Sequence, residues 1–219
     1  MSLLLYGVTG EPTGAEDLRG IGGTRVQRIA GGSLVVMVSE HDQPPPLSEA
    51  TLWEFEHVIE SAMKSGPVLP VRFGTLLATA ADVEQWLETR REELMAKLEN
   101  VRGAVELSVR GVWPAEEPSA AAGADTGTEY MRARLAPQRR ARELADRVHA
   151  QLDGFARASR HRILTRATVP VSAAFLIDQG TQEQFVNAVT GLDARLDDTE
   201  LVCTGPWPPY SFVGDPIDA

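Results

Sequence analysis

The chain has 219 residues, of which 43% are hydrophobic and 24% are charged, and its formal net charge is −10. This composition is typical of a folded protein with a hydrophobic core, and it excludes a largely disordered chain. The negative charge disfavours nonspecific binding to nucleic acid or to an anionic bilayer, because both are polyanions.

The sequence indicates a cytosolic protein. No apolar run reaches the roughly 18 to 20 residues that a membrane-spanning helix needs. Met1 to Val8 is apolar but lacks the basic segment of a signal peptide. Cys203 is the only cysteine, so no intrachain disulfide can form.

The first part of the chain predicts three strands and a helix. Ser2 to Val8 is a short apolar run, and 24–29 and 33–39 read as a hairpin around Gly31 and Gly32. After three prolines, Ser48 can cap a helix, since apolar residues then recur at helical spacing. The predicted buried stripe is Leu52, Phe55, Ile59 and Met63.

The next elements are a short strand, a long helix and a second strand. The apolar segment 68–73 contains Arg72, and an arginine in such a strand usually has a carboxylate or carbonyl partner. Asp82 with Gln85 resembles a capping box that opens an amphipathic helix ending at Gly103. Residues 104–112 alternate as a strand does.

The second half begins after a low-complexity stretch of Pro, Ala, Glu and Gly. Residues 130–166 are rich in Arg and Ala and are predicted to be largely helical, with a break near Pro137. Ten arginines and four acidic residues lie between 128 and 166, which gives this segment a local charge of +6 on an acidic body. A strand at 168–177, a helix at 181–195 and a strand at 200–204 follow.

The C-terminal segment combines aromatic residues with prolines. It reads Gly205-Pro206-Trp207-Pro208-Pro209-Tyr210-Ser211-Phe212. Proline fixes φ and removes a backbone donor, so this segment is predicted to be a rigid extended closure rather than an interior helix or central strand. Its aromatic residues either cap a core or face another chain.

The two halves are similar in their order of elements, because each has a Pro-Val strand, a helix, a strand and a Trp-Pro pair. The predicted fold class is therefore α+β with two domains, the second ferredoxin-like with an added helical segment. The predicted bounds are 1–114 for the first domain, 115–127 for the linker and 128–219 for the second domain.

No motif of catalysis, metal binding or phosphate binding occurs in the sequence. The glycines at 7–23 form neither a Walker loop nor a G-x-G-x-x-G turn. His57 could be a general base, although a half-buried ring is the simpler interpretation. Cys203 has no basic neighbour and is predicted to pack as a small hydrophobic residue. The sequence therefore predicts no enzyme, cofactor or metal.

Two signatures and several shorter segments resemble the gas vesicle GvpF/GvpL family. The signatures are Leu69-Pro70-Val71-Arg72-Phe73-Gly74-Thr75 and Gly205-Pro206-Trp207-Pro208-Pro209-Tyr210. Shorter similarities include Leu4 to Val8, 103–109, Gly127 to Met131 and 170–176, so that the resemblance covers nearly the whole chain. It implies a two-domain α+β protein that serves as an accessory or minor structural protein of gas vesicles.

The resemblance implies binding to the small, hydrophobic major shell protein, and beyond it to other gas vesicle accessory proteins, in the gas vesicle or the cytoplasm. Such binding would keep an aggregation-prone apolar face dispersed. The candidate contact residues are Arg72 and Phe73 in one signature and Trp207, Pro209 and Tyr210 in the other. The alternatives are a ferredoxin-like regulatory module that binds a small molecule and an unrecognised hydrolase or ligase.

Overall fold

The computed structural model describes residues 1–10, 17–113, 127–164 and 168–214, without the side chains of 127–134. Its strands are β1 Ser2–Thr9, β2 Gln27–Gly31, β3 Leu34–His41, β4 Val68–Pro70, β5 Leu76–Leu77, β6 Ala104–Val112, β7 Ala156–Ile163, β8 Val171–Asp178 and β9 Glu200–Trp207. Its helices are α1 Glu49–Met63, α2 Ala80–Thr89, α3 Arg91–Val101, α4 Gly127–Leu152, α5 Gln182–Asp193 and α6 Tyr210–Val213. The α+β class predicted from sequence is confirmed.

The chain forms two compact units, one of Met1–Val105 with Trp207–Ala219 and the other of Glu106–Pro206. They differ from the predicted domain bounds at two places. β6, which the sequence analysis placed in the first domain, pairs within the second sheet, and the C-terminal segment belongs to the first unit. The low-complexity stretch at 114–126 lies outside the described residues.

The sheet of the first unit has the strand order β2-β3-β1-β4, and β5 also pairs with β1. β1 is central and antiparallel to its partners, and all its residues from Leu3 to Thr9 are buried. A strand with a nearly continuous apolar run suits this central place, because both of its faces are covered. Its neighbour β3 is the strand predicted from the apolar run at 33–39.

Helix α1 packs against this sheet through Phe55, Val58, Ile59 and Ala62. The predicted cap is confirmed, since the Ser48 side chain accepts a hydrogen bond from the backbone of Thr51. The predicted buried stripe is wrong at its first residue, because the Leu52 side chain lies on the exposed face. Helical periodicity alone does not fix which of two adjacent positions faces the core. Packing of α1 on the sheet determines this.

The helix predicted to end at Gly103 is two helices. The N-terminal cap is the pair Thr79 and Asp82 rather than Asp82 and Gln85, so that α2 begins one turn earlier. Arg90 has φ −119° and ψ 11°, which is not helical, and this residue separates α2 from α3. Val83, Leu87, Leu94, Leu98 and Val101 are nevertheless buried as one amphipathic set.

The sheet of the second unit has the strand order β7-β8-β6-β9. The helical prediction for 130–166 is wrong beyond Leu152, where a 3-10 turn at Asp153–Phe155 leads into the edge strand β7. Ladder pairing of β7 with β8, from Ile163 opposite Val171 to Ala156 opposite Ile177, overrides the helix propensity of its alanines and arginines. Pro137 lies within α4 and does not end it.

Candidate functional site

The first signature forms a tight turn at the end of β4. The strand ends at Pro70, so Arg72 lies in a turn and not within the predicted strand. The amide of Thr75 donates to the carbonyl of Arg72 at 3.2 Å, which closes a four-residue turn. Gly74 occupies its third position with φ +84°, a conformation that glycine adopts without steric cost. The glycine of the signature is therefore required by the turn.

The turn is fixed to the core through Phe73. The ring of Phe73 meets that of Phe55 edge-on with centroids 5.3 Å apart, and Phe55 stacks on Tyr6 at 4.9 Å. Edge-to-face and offset-stacked pairs are the favoured arrangements of aromatic rings. Phe73 is thus held in one position, while Arg72 beside it is exposed.

The two signatures meet at one groove in the first unit. The groove has a volume of about 430 Å³ and is lined by Glu56, Pro70, Arg72, Phe73, Tyr210, Val213 and Gly214. Helix α1 supplies the glutamate, the end of β4 and the turn after it supply the next three residues, and α6 with the glycine after it supplies the last three. The wall is mainly apolar, with one carboxylate and one guanidinium.

Glu56 and Tyr210 form a hydrogen-bonded pair in this groove. The Tyr210 hydroxyl donates to Oε1 of Glu56 at 2.8 Å. Burial raises the pKa of the Glu56 carboxyl and Glu60 raises it further, while the hydrogen bond from Tyr210 lowers it. The pKa of the Tyr210 hydroxyl is also raised, first by burial and then by the charge of Glu56. The tyrosine therefore remains a neutral donor to the carboxylate.

The groove brings together three of the five contact residues that the sequence analysis named. Arg72, Phe73 and Tyr210 line it, whereas Trp207 and Pro209 are not among its lining residues. Pro209 is buried and precedes α6, and Trp207 is the last residue of β9 with 39% of its surface exposed. The extended closure predicted for the tail is found up to Trp207, and a short helix follows it.

The sequence analysis missed Glu56 and Val213. Glu56 precedes His57 on α1 and looks like any surface glutamate in the sequence, because only the approach of α6 makes it half-buried. Val213 lies outside both signatures, and nothing in the sequence around it predicts a binding residue. Both belong to the groove through contacts between segments that are far apart along the chain.

The other candidate residues have simple environments. His57 is exposed rather than half-buried, which corrects the preferred interpretation of that residue. Cys203 is half-buried and packs against the core of the second unit, as predicted, and burial raises the pKa of its thiol. In the described ranges no group of three or more His, Cys, Asp or Glu side chains could hold a metal ion.

No helix among the described residues is both long and apolar enough to cross a bilayer.

Residues 2–214 match the family described as gas vesicle synthesis protein GvpL/GvpF. The chain is 30% identical to gas vesicle protein L of a Streptomyces strain over 91% of this chain and 87% of that protein. It is 25% identical to gas vesicle protein F1 of Halobacterium salinarum over 100% of this chain and 95% of that protein. The crystal structure of gas vesicle protein GvpF from Microcystis aeruginosa superimposes with a TM-score of 0.81 at 22% identity, covering 97% of this chain and 98% of that one, and thus shares the fold.

Proposed function

The chain belongs to the GvpL/GvpF family of gas vesicle synthesis proteins, and from this premise we propose that it binds the hydrophobic major shell protein and supports vesicle assembly. In this proposal the protein works in the cytoplasm and at the gas vesicle, where it also meets other gas vesicle proteins. Its work is non-covalent binding, which needs neither a catalytic group nor a cofactor.

The physical task is to shield an apolar surface from water. A subunit that coats a gas space exposes a large apolar face before it assembles, and such faces aggregate when they are left uncovered. A partner with a net charge of −10 keeps the complex dispersed, because like-charged complexes repel each other. Binding through a defined surface leaves the remaining acidic surface free for this purpose.

The observation that carries the proposal is the meeting of both family signatures at one groove. Arg72 and Phe73 come from the first signature and Tyr210 from the second, and the three residues line the same cavity. A groove with an apolar wall and a few polar groups suits a peptide segment, because the wall supplies affinity and the polar groups fix its orientation.

Trp207 and Pro209 contribute to the proposal in different ways. The partly exposed ring of Trp207 offers an aromatic contact, and aromatic residues are enriched where binding energy concentrates. The buried Pro209 acts by setting the position of Tyr210, since it immediately precedes α6. Only the first of these two residues is proposed to touch the partner.

We also propose that the second unit is ferredoxin-like. Its elements follow the sequence β6, α4, β7, β8, α5, β9, and its sheet has the order β7-β8-β6-β9. Two successive β-α-β units with the first strand at the centre of the sheet give this order. Its long helix α4, which the sequence analysis described as an addition, is the helix of the first of these units.

Co-expression with the major shell protein followed by co-purification tests the proposed function. Arg72→Ala and Trp207→Ala are compared with Arg25→Ala and Glu84→Ala, whose side chains are exposed elsewhere in the first unit. We expect the first two variants to recover less soluble shell protein, with circular dichroism showing an intact fold in all four. Equal recovery by every variant would remove the groove and Trp207 from the binding surface.

If the wild-type protein itself recovers no shell protein, the proposed function is wrong. The small-molecule regulatory module is then the first alternative to examine, and a screen of metabolites by thermal shift would address it.

A further inference from the structure

Three large apolar side chains are exposed within seven residues at the start of α1. Leu47 is 75% exposed, Leu52 is 37% exposed and Trp53 is 63% exposed. We call these residues the α1 apolar patch. Single exposed apolar residues are common, but a cluster of them typically marks a binding surface.

Local structure accounts for only part of this patch. Leu47 precedes the N-cap and Leu52 is the fourth residue of the helix, which are the positions of a hydrophobic staple. A staple gains stability by hiding both side chains from water, yet most of Leu47 remains exposed. Trp53 is outside the staple, and its indole N–H donates weakly to Glu49 at 3.5 Å. Packing within the chain covers only the smaller part of the Trp53 side chain.

The patch continues into the groove that both signatures line. Glu56 follows Leu52 by four residues and Trp53 by three, and residues at these spacings are neighbours on one face of a helix. Because Glu56 is part of the groove, the patch and the groove form one surface along α1. The distance along the helix axis from Leu52 to Glu60 is roughly 12 Å, or about two turns.

The charge along α1 has one sign. The helix contains four glutamates, at positions 49, 54, 56 and 60, and no lysine or arginine. Glu54 accepts a hydrogen bond from the amide of Gly22 at 2.9 Å, whereas Glu49 and Glu60 flank the apolar residues on the exposed side. A complementary partner therefore needs cations beside its apolar face.

A helical partner fits this surface better than a strand. Strand addition requires unpaired backbone donors and acceptors, whereas the backbone of α1 is bonded within the helix and presents only side chains. An amphipathic helix can place its ridges between those side chains without any backbone pairing.

We propose that the α1 apolar patch and the adjoining groove bind an amphipathic helix whose apolar face is bordered by Lys or Arg. The apolar face covers Leu47, Leu52 and Trp53, and the cations lie beside Glu49 and Glu60. The partner helix is a segment of the major shell protein. The inference therefore rests on the proposed function and specifies which part of that subunit the protein recognises.

The test is the recovery of co-expressed shell protein by Trp53→Ala and Leu52→Ala, with Val186→Ala as the matched control. Val186 is 41% exposed and lies on α5, so its truncation also removes an exposed apolar side chain. We expect Trp53→Ala, which truncates an aromatic anchor, to recover about tenfold less shell protein, Leu52→Ala to recover less by a smaller factor, and the control to recover as much as the wild type.

A second arm tests the charges. The double variant Glu49→Gln/Glu60→Gln is compared with Glu84→Gln/Glu92→Gln, which neutralises two exposed glutamates of α2 and α3. We expect binding by the wild type and by the α2/α3 variant to weaken as salt rises, and the α1 variant to bind more weakly at low salt with a smaller salt dependence.

The outcomes separate the two hypotheses. If the wild type recovers shell protein and the patch variants do so equally well, this inference is overturned and the proposed function stands. If the α1 and α2/α3 double variants respond identically to salt, the claim that the partner helix carries Lys or Arg beside its apolar face is overturned. If the wild type recovers nothing, the proposed function itself fails.

Discussion

The hydroxyl of Tyr210 donates a 2.8 Å hydrogen bond to Oε1 of Glu56, joining residues that are 154 positions apart in sequence. This bond ties the C-terminal helix α6 to α1 within the first unit. Helix α6 has only four residues, and a helix this short is not stable by itself. Its position depends on such contacts and on the burial of Phe212 and Val213.

Tyr210→Phe removes this bond and leaves a half-buried carboxylate without its donor. We expect the free energy of unfolding to fall by about 1 kcal/mol, the usual net value of one hydrogen bond. Urea denaturation followed by circular dichroism measures this change. Glu56→Gln keeps an acceptor for the tyrosine and should cost less, so an equal or larger loss in the glutamine variant would contradict the assignment.

Glu56 gives the stability of the protein a specific pH dependence. Burial raises the pKa of this carboxyl above its ordinary value of 4.5. Between pH 4.5 and the raised pKa, the folded state therefore binds more protons than the unfolded state. The stability contributed by Glu56 is fully present below pH 4.5 and is lost as the pH rises through the raised pKa.

Glu56→Gln should remove this dependence. The unfolding free energy of the variant, relative to that of the wild type, should therefore increase between pH 4.5 and neutrality. Denaturation curves at several pH values measure the difference, and a difference that is constant with pH would show that the carboxyl does not titrate abnormally.

Gly20 is required because the Tyr6 hydroxyl occupies the place of its missing side chain. A Cβ at position 20 would lie 2.1 Å from that oxygen, which itself contacts the Ser39 hydroxyl at 2.8 Å and accepts from the amide of Ile21 at 3.1 Å. Gly20→Ala should destabilise the protein by about 1 to 3 kcal/mol through overpacking. Gly10→Ala is the control, because a Cβ at position 10 would meet no atom of the described residues within 4 Å. Urea denaturation measures both variants.

A double-mutant cycle with Tyr6→Phe tests this cause. Tyr6→Phe alone should cost about 1 to 3 kcal/mol, since it leaves the buried amide of Ile21 without this acceptor. Removing the hydroxyl also relieves the clash, so the double variant should lose less than the sum of the single variants. Strict additivity would mean that the clash involves another group.

Arg140 stabilises the second unit through contacts with Trp113 and Asp198. Its guanidinium lies over the Trp113 ring at 4.3 Å and pairs with Asp198 at 2.8 Å. Arg140→Ala should lower the midpoint of thermal unfolding, with a loss of about 1 kcal/mol, whereas Arg139→Ala, an exposed neighbour, should have no measurable effect. Equal midpoints for the two variants would assign no stabilising role to the contacts.

Gly191→Ala should stabilise the protein. Gly191 lies in α5, and within the described part of the chain a Cβ there would meet no atom within 4 Å. Alanine has the higher helix propensity, and the gain should be about 0.5 kcal/mol because the residue is close to the end of the helix. A loss of stability by the same denaturation measurement would contradict this expectation.

The sequence by itself determined the elements that depend on local interactions. The apolar runs and caps near Ser2 to Val8, Ser48 and the segment 168–177 correspond to strands or helices of the structure, because alternation, helical periodicity and capping act over a few residues. The two signatures were sufficient to place the chain in its family, since their spacing is specific.

Only the tertiary structure decided which residues the signatures bring together. Burial of Glu56 and exposure of Leu52 depend on partners far away in sequence, namely α6 and the first sheet, and the strand at Ala156–Ile163 depends on pairing with the following strand β8. These tertiary contacts contribute more free energy than local propensity does, and the sequence pattern does not show where they form. The groove and its continuation along α1 are therefore properties of the folded chain, because neither exists in any single segment.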